Sequence, residues 1–257
     1  HTHIVLVEKD GHVLYQAHEA AGKQKGREKE NAFLTVAKVI EFADQSPLEE
    51  LEFIMEGVRL NRAVSMEGLK GGYGLKTGRT IFRSIEKKRI ADDLASHAMA
   101  VTAAASDARM AGCTLPVMSN SGSGNQGITT IMPVAAVAEK VKAAPERLVR
   151  ALVLSNLMAI YLKQFVGQLT ALCGVLTAAT GAACGVCYLL GGNREQIHGT
   201  IKNMGASITG MICDGAKPGC ALKVSSGVST AVYSALLALE GHHADAVDGI
   251  VSQDVEQ

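Results

Sequence analysis

Two cysteines seven residues apart bracket a turn rich in Gly and Pro in Met211-Ile212-Cys213-Asp214-Gly215-Ala216-Lys217-Pro218-Gly219-Cys220-Ala221. A chain that folds back over such a turn brings its two thiols together, as zinc and iron–sulfur sites require. Lys217, inside the turn, favours negative charge nearby and so lowers the thiol pKa values. Cys173 stands forty residues before Cys213, on what reads as a central helix, so a helix and a loop could supply three thiolates. Three is an informative number. A [4Fe–4S] cluster held by three cysteines leaves one iron open to substrate as a Lewis acid, whereas an electron-transfer cluster normally has four protein ligands. Zinc, or thiols simply buried as small apolar groups, are the alternatives these residues leave open.

A second segment with chemical character is Met118-Ser119-Asn120-Ser121-Gly122-Ser123-Gly124-Asn125-Gln126-Gly127, followed directly by the apolar run from Ile128. Glycines there permit close approach, and backbone N–H groups at a helix start, with Ser and Asn side chains, favour an anion such as a substrate carboxylate. No Lys follows as a phosphate-binding P-loop requires, and Thr114 to Val117 makes a poor Rossmann strand. By composition alone the segment is either an anion site or a structural loop. Cys113, Cys184 and Cys187 read as buried packing groups. The cluster from His242 to Asp248 reads as a solvated turn rather than a metal site, and no Ser-His-Asp or HExxH pattern is present.

The elements that must position these groups follow from patterning. Ile4 to Val7 and His12 to Tyr15, around Lys9-Asp10-Gly11, predict a β-hairpin. Beyond the charged stretch Lys23 to Lys29, apolar spacing predicts a helix from Phe33 through Phe42 that ends near Ser46-Pro47, then another from Pro47 to about Asn61. Gly68 to Gly78 reads as a surface loop, and Ile81 to Ala111 as one long helix or two joined. Helices are predicted at Ile128 to Lys142, Pro145 to Leu162, Val166 to Leu190, Glu195 to Ile212 and Ala221 to Glu240. The fold class expected is α+β and predominantly α-helical. A small N-terminal hairpin and helix region, residues 1–78, precedes a helical domain, residues 79–257, built on a buried Gly/Ala-rich central helix.

Composition narrows the function. The 257 residues carry 25 acidic and 25 basic groups, so no net field draws the chain to nucleic acid or anionic lipid. Trp is absent and Phe and Tyr number five each, which argues against base stacking. Gln164 to Asn193 has no charged residue, but its Gly, Thr and Ala content suits a buried helix better than a membrane span. Six cysteines without a basic-then-apolar leader do not form a secreted disulfide scaffold, and a cytoplasmic location is expected. The abrupt start at His1-Thr2-His3 and end at Glu256-Gln257 suggest truncation at both ends.

Several of these stretches together resemble the L-cysteine desulfidase family and the related iron–sulfur L-serine dehydratases. They are Ser106 to Met110 with Leu115-Pro116, Met118 to Gly127, Met132-Pro133, Ala159-Ile160-Tyr161, and Gly210 to Cys220 with Lys223-Val224-Ser225. The resemblance spans nearly the whole chain. It implies a pyridoxal-independent lyase whose oxygen-sensitive [4Fe–4S] cluster helps convert L-cysteine to pyruvate, ammonia and sulfide; the serine enzymes lose water instead. It implies Cys173, Cys213 and Cys220 as cluster ligands. Extended further, Ser119, Asn120, Ser121, Gly122, Ser123, Asn125 and Gln126 would bind an amino-acid substrate, with Asp214 and Lys217 tuning the cluster. Family members are longer and carry near their beginning a Gly-Cys-Thr-Glu-Pro type motif that this chain lacks. A missing N-terminal segment or a separate chain is therefore the expected partner, with association of like copies a further expectation. The Cys184–Cys187 pair also departs from the family pattern.

Overall fold

The computed structural model describes residues 6–16, 34–167 and 170–256, and the chain divides into two compact units, His1–Leu34 and Thr35–Gln257. In the first, β1 (Leu6–Lys9) and β2 (His12–Gln16) pair antiparallel with a register shift between Val7 and Glu8. Asp10 (φ 52°) and Gly11 (φ 76°) form the turn, since Asp and Gly tolerate the consecutive positive φ values that a two-residue hairpin needs. The expected hairpin is present; Ile4, Val5 and the stretch Lys23 to Lys29 lie outside the described residues.

The second unit is helical: α1 (Val36–Gln45), α2 (Leu48–Leu51), a 3-10 turn (Glu52–Ile54), α3 (Met55–Leu69), α4 (Thr77–Glu86), α5 (Leu94–Met110), α6 (Gly124–Val141), α7 (Pro145–Val166), α8 (Val175–Leu189), α9 (Arg194–Ile208) and α10 (Cys220–Leu239). The protein is thus α+β and mostly α, as patterning indicates. Two helices act as hubs. Every residue of α8 is buried, and α6, α7, α9 and α10 surround it. Its small residues make this possible: a Cβ on Gly181 would lie 2.4 Å from the Ser155 carbonyl oxygen of α7. The second hub, α5, packs against α3, α4, α6 and α10. It does so over backbone, for a Cβ on Gly68 of α3 would lie 2.0 Å from the Ala104 carbonyl oxygen. Helices α6 and α10 touch both hubs.

The structure corrects several sequence-based boundaries. The central helix does not run from Val166 to Leu190. Helix α7 continues to Val166, Gly167 turns the chain at φ 76°, and Leu172 pairs with Ile212 in an isolated antiparallel bridge before α8 begins. Cys173 therefore precedes α8 rather than lying on it. At about 22 Å, α8 is too short for a bilayer core of about 30 Å. Helices α7 and α10 are long and apolar enough to cross a membrane, and 56% and 50% of their most apolar windows are buried inside the fold. Helix α3 runs on to Leu69, into the segment read as a loop. Of the two readings of Ile81 to Ala111, two helices is the one found: α4 ends at Glu86, and the Asp93–Ser96 capping box starts α5 after Lys88 takes a positive φ.

Asp107 illustrates how α5 anchors its neighbours. Wholly buried, it accepts a hydrogen bond from the Gly78 N–H in the first turn of α4 at 3.0 Å, capping that helix from outside. Burial raises its pKa above 3.8, against the lowering effect of the N–H groups it accepts. We expect Asp107→Ala to cost about 1–3 kcal/mol by leaving a buried donor unmet, and Asp107→Asn, which keeps an acceptor, to cost less. A raised folded pKa means that stability is greatest below the unfolded value and declines as pH rises through the folded one. Urea melts at pH 4 and pH 7 should therefore show the Asn variant gaining on the parent as pH rises.

Candidate functional site

The three cysteines singled out by sequence are brought to one junction by a short ribbon and a helix start. Across the Leu172–Ile212 bridge, the Cys173 N–H donates to the Met211 carbonyl at 2.8 Å and the Cys213 N–H to the Ala171 carbonyl at 2.7 Å. Side chains alternate along a strand, so Cys173 and Cys213, each one residue from the bridged pair, fall on the same face of the ribbon. After Cys213 the chain turns through Gly215, at φ 95°, and comes back as α10, whose first residue is Cys220. The Cys220 thiol donates to the Gly215 carbonyl at 3.7 Å. Cys173 is buried, Cys220 half-buried and Cys213 exposed. Burial first, then the neighbouring Cys213 and Cys220, raise the Cys173 pKa, while Lys223 lowers it.

Asp214 and Lys217 sit on the exposed turn and pair with each other at 2.5 Å. Asp214 also pairs with Lys223, and the hydrogen bonds from Lys217 and then Lys223 hold its carboxyl well below the usual range. Asp214 thus joins Lys217 of the turn to Lys223 of α10. Lys223 is a site residue that sequence reasoning missed. It donates to the Ile212 carbonyl at 2.8 Å, and it is the cation that bears on Cys173. Its position one helical turn after Cys220 was the available signal.

The glycine-serine loop meets this junction through α6. Ser121 (φ 50°) and Gly122 (φ 78°) make a tight turn closed by reciprocal Asn120–Ser123 backbone bonds of 3.1 and 3.0 Å. The Ser123 hydroxyl then accepts from the Gln126 N–H and caps α6, leaving the N–H groups of Gly124 and Asn125 without intrahelical acceptors. Ser119, Ser121 and Gly122 are exposed and Ser123 is half-buried. Asn120 and Asn125 turn inward instead: the Asn120 amide donates to the Asn156 side chain at 3.0 Å, and the Ser106 hydroxyl donates to Asn125 Oδ1 at 3.4 Å. Asn61 of α3 staples the loop from below, donating to the Gly127 carbonyl and accepting from the Met118 N–H.

Gln126 links the two segments. It is 7% exposed, its Oε1 has no hydrogen-bond partner, and its carboxamide lies so close to Gly174 that a Cβ there would stand 2.8 Å from Nε2. Gly174 directly follows Cys173 and opens α8, and Gly219 directly precedes Cys220 and opens α10. Neither helix has a side-chain cap. Cys173 and Cys220 thus stand at the starts of α8 and α10, Gln126 brings the first turn of α6 against Gly174, and each helix start carries a partial positive charge. With Lys223, they make a place for negative charge.

Three thiols, two on one ribbon face and one at an adjoining helix start, are the donor type that an iron–sulfur cluster takes. Among the described residues no three His, Cys, Asp or Glu side chains are grouped closely enough to hold a metal ion. Cys184 and Cys187 stand apart, fully buried inside α8 with Cys184 about 15 Å along the helix from Gly174. Burial drives the Cys184 thiol well up, as in an inert packing group. Cys113 packs against the core formed by Val64, Ala105, Ala108, Ile128 and Met132.

Residues 12–257 match the family model described as the serine dehydratase alpha chain. The chain belongs to that family. The chain is also similar to UPF0597 proteins of Parabacteroides distasonis, 49% identical over 258 residues, Oleidesulfovibrio alaskensis, 50% over 256, and Porphyromonas gingivalis, 50% over 261. Each alignment takes in 100% of this chain and 60% of the relative, so the chain spans about three fifths of the length of these relatives.

Proposed function

We propose that this chain carries the thiolate-bearing part of a pyridoxal-independent lyase that eliminates the β-substituent of L-cysteine, releasing sulfide and leaving an enamine that hydrolyses to pyruvate and ammonia. The observation that carries the proposal is the ribbon that sets Cys173 beside Cys213, with Cys220 opening the helix that follows and Gln126 of the loop packed against Gly174. Those cysteines would hold a [4Fe–4S] cluster, which when bound supplies an iron with an open position and Lewis acidity. The protein's own groups do the rest of the positioning. The free N–H groups of Gly124 and Asn125 suit a substrate carboxylate, with the exposed Ser119 and Ser121 hydroxyls beside it, and Asn120 and Asn125 hold the loop that presents them. Gln126 keeps that loop against Cys173–Gly174. The helix N-termini and Lys223 offset the negative charge that thiolates and carboxylate bring to one place.

Membership in the serine dehydratase family also supports loss of water from L-serine, a reaction that differs only in leaving group. The site as a whole belongs to the longer protein, whose remaining segment, or a separate chain, supplies what is lacking. The test is to assay sulfide and pyruvate from L-cysteine and L-serine, anaerobically, with the full-length relative and with this chain. Preferred release of sulfide by the full-length enzyme supports the desulfidase reading. Turnover of serine alone replaces it with the dehydratase, and no turnover of either removes both.

A further inference from the structure

We propose that Lys223 is the positioning residue of the cysteine junction, its ammonium locking the three thiol-bearing segments into one register. Three connections meet on this side chain. It projects from the first turn of α10, three residues after Cys220, and so moves with that thiol. Its Nζ donates to the Ile212 carbonyl at 2.8 Å and pairs with Asp214, gripping the strand residues on either side of Cys213. Ile212 is in turn the residue bridged to Leu172, which passes the constraint to Cys173. One side chain thus ties α10 to the second strand of a ribbon whose first strand carries the remaining cysteine.

Lys217 cannot play this part. It pairs with Asp214 within its own turn, both side chains about half exposed, which ties the turn only to itself. The Lys223 side chain is 25% exposed against 48% for Lys217, so Lys223 is the more enclosed of the two cations. A ribbon of one bridged pair has few bonds of its own and depends on an outside brace. A charged donor on a backbone carbonyl contributes enough to change local opening about tenfold or more.

The role rests on the reading that the three thiols act together, but the test reads backbone protection in the cluster-free protein, so failed cluster assembly and failure of this proposal are separate results. Hydrogen exchange is measured at the Cys173 and Cys213 amides, whose acceptors are Met211 and Ala171. In Lys223→Met both amides should exchange about tenfold faster or more, with amides of α5 and α8 unchanged, and Lys223→Arg should restore protection to within about twofold. Unchanged exchange at the two amides overturns the proposal, and so does a loss spread evenly over α5 and α8, which marks general destabilisation. Should the Met variant not fold, Lys223→Gln is read in the same way: selective loss supports the proposal and unchanged protection overturns it.

Discussion

Full-length enzyme carrying Cys220→Ser, reconstituted anaerobically with iron and sulfide, is expected to lose the broad brown absorption of an iron–sulfur centre and at least about a thousandfold in turnover, equivalent to about 4 kcal/mol of barrier. Cys213→Ser should behave alike, because each hydroxyl replaces a thiolate at the junction of ribbon and α10, and an alkoxide is not available as a substitute ligand near neutral pH. Cys187→Ser is the control within the same fold. Its thiol is fully buried in α8, and a Cβ on Gly192 would stand 2.4 Å from its sulfur, so the variant changes packing far from the junction and should keep its colour. Iron quantitation and visible spectra of the three variants check this. Loss of colour with Cys187→Ser would reassign the ligand set.

Asn61→Leu is the substitution expected to damage the fold most for its size. Asn61 is wholly buried and makes two hydrogen bonds across a large separation in sequence, to the Gly127 carbonyl at 3.2 Å and from the Met118 N–H at 2.9 Å. Leu fills the space but leaves both backbone groups unmet, at a cost of about 1–3 kcal/mol each. At roughly 2–4 °C per kcal/mol for a chain of this size, the melting temperature should fall by roughly 5–20 °C, and substrate affinity should fall with it, since these bonds hold the two ends of the loop. Asn61→Asp keeps the acceptor for Met118 but sets a buried carboxylate against the Gly127 carbonyl, so near neutral pH it should lose at least as much, with part of the loss recovered at low pH. Calorimetry on the two variants separates these cases; equal stability of Asn61→Leu and the parent would remove the staple.

What could be read from the sequence was local. Asp10-Gly11 declares the hairpin because the turn needs positive φ at both residues, and the Gly/Ala content of α8 declares a helix packed at close range. The cysteine turn and the loop before Ile128 were legible for the same reason, since Gly215, Gly122 and a capping Ser123 act within a few residues. Partners distant in sequence were not legible. Nothing near Val166 announces that Leu172 will leave the helix to pair with Ile212, so Cys173 was placed on α8 when it stands just before it. Nothing in the loop points to Asn61 or Asn156. Lys217 stands out in the sequence because it lies between two cysteines, whereas Lys223 comes to the site only through the helical turn that follows Cys220.

The most direct test of the central claim is the metal content of the wild-type chain after anaerobic reconstitution with iron and sulfide. The account predicts about four irons per chain with a brown, oxygen-sensitive spectrum that fades in air. Colourless protein that instead takes up a single zinc ion would contradict it and make the thiols of Cys173, Cys213 and Cys220 a structural site.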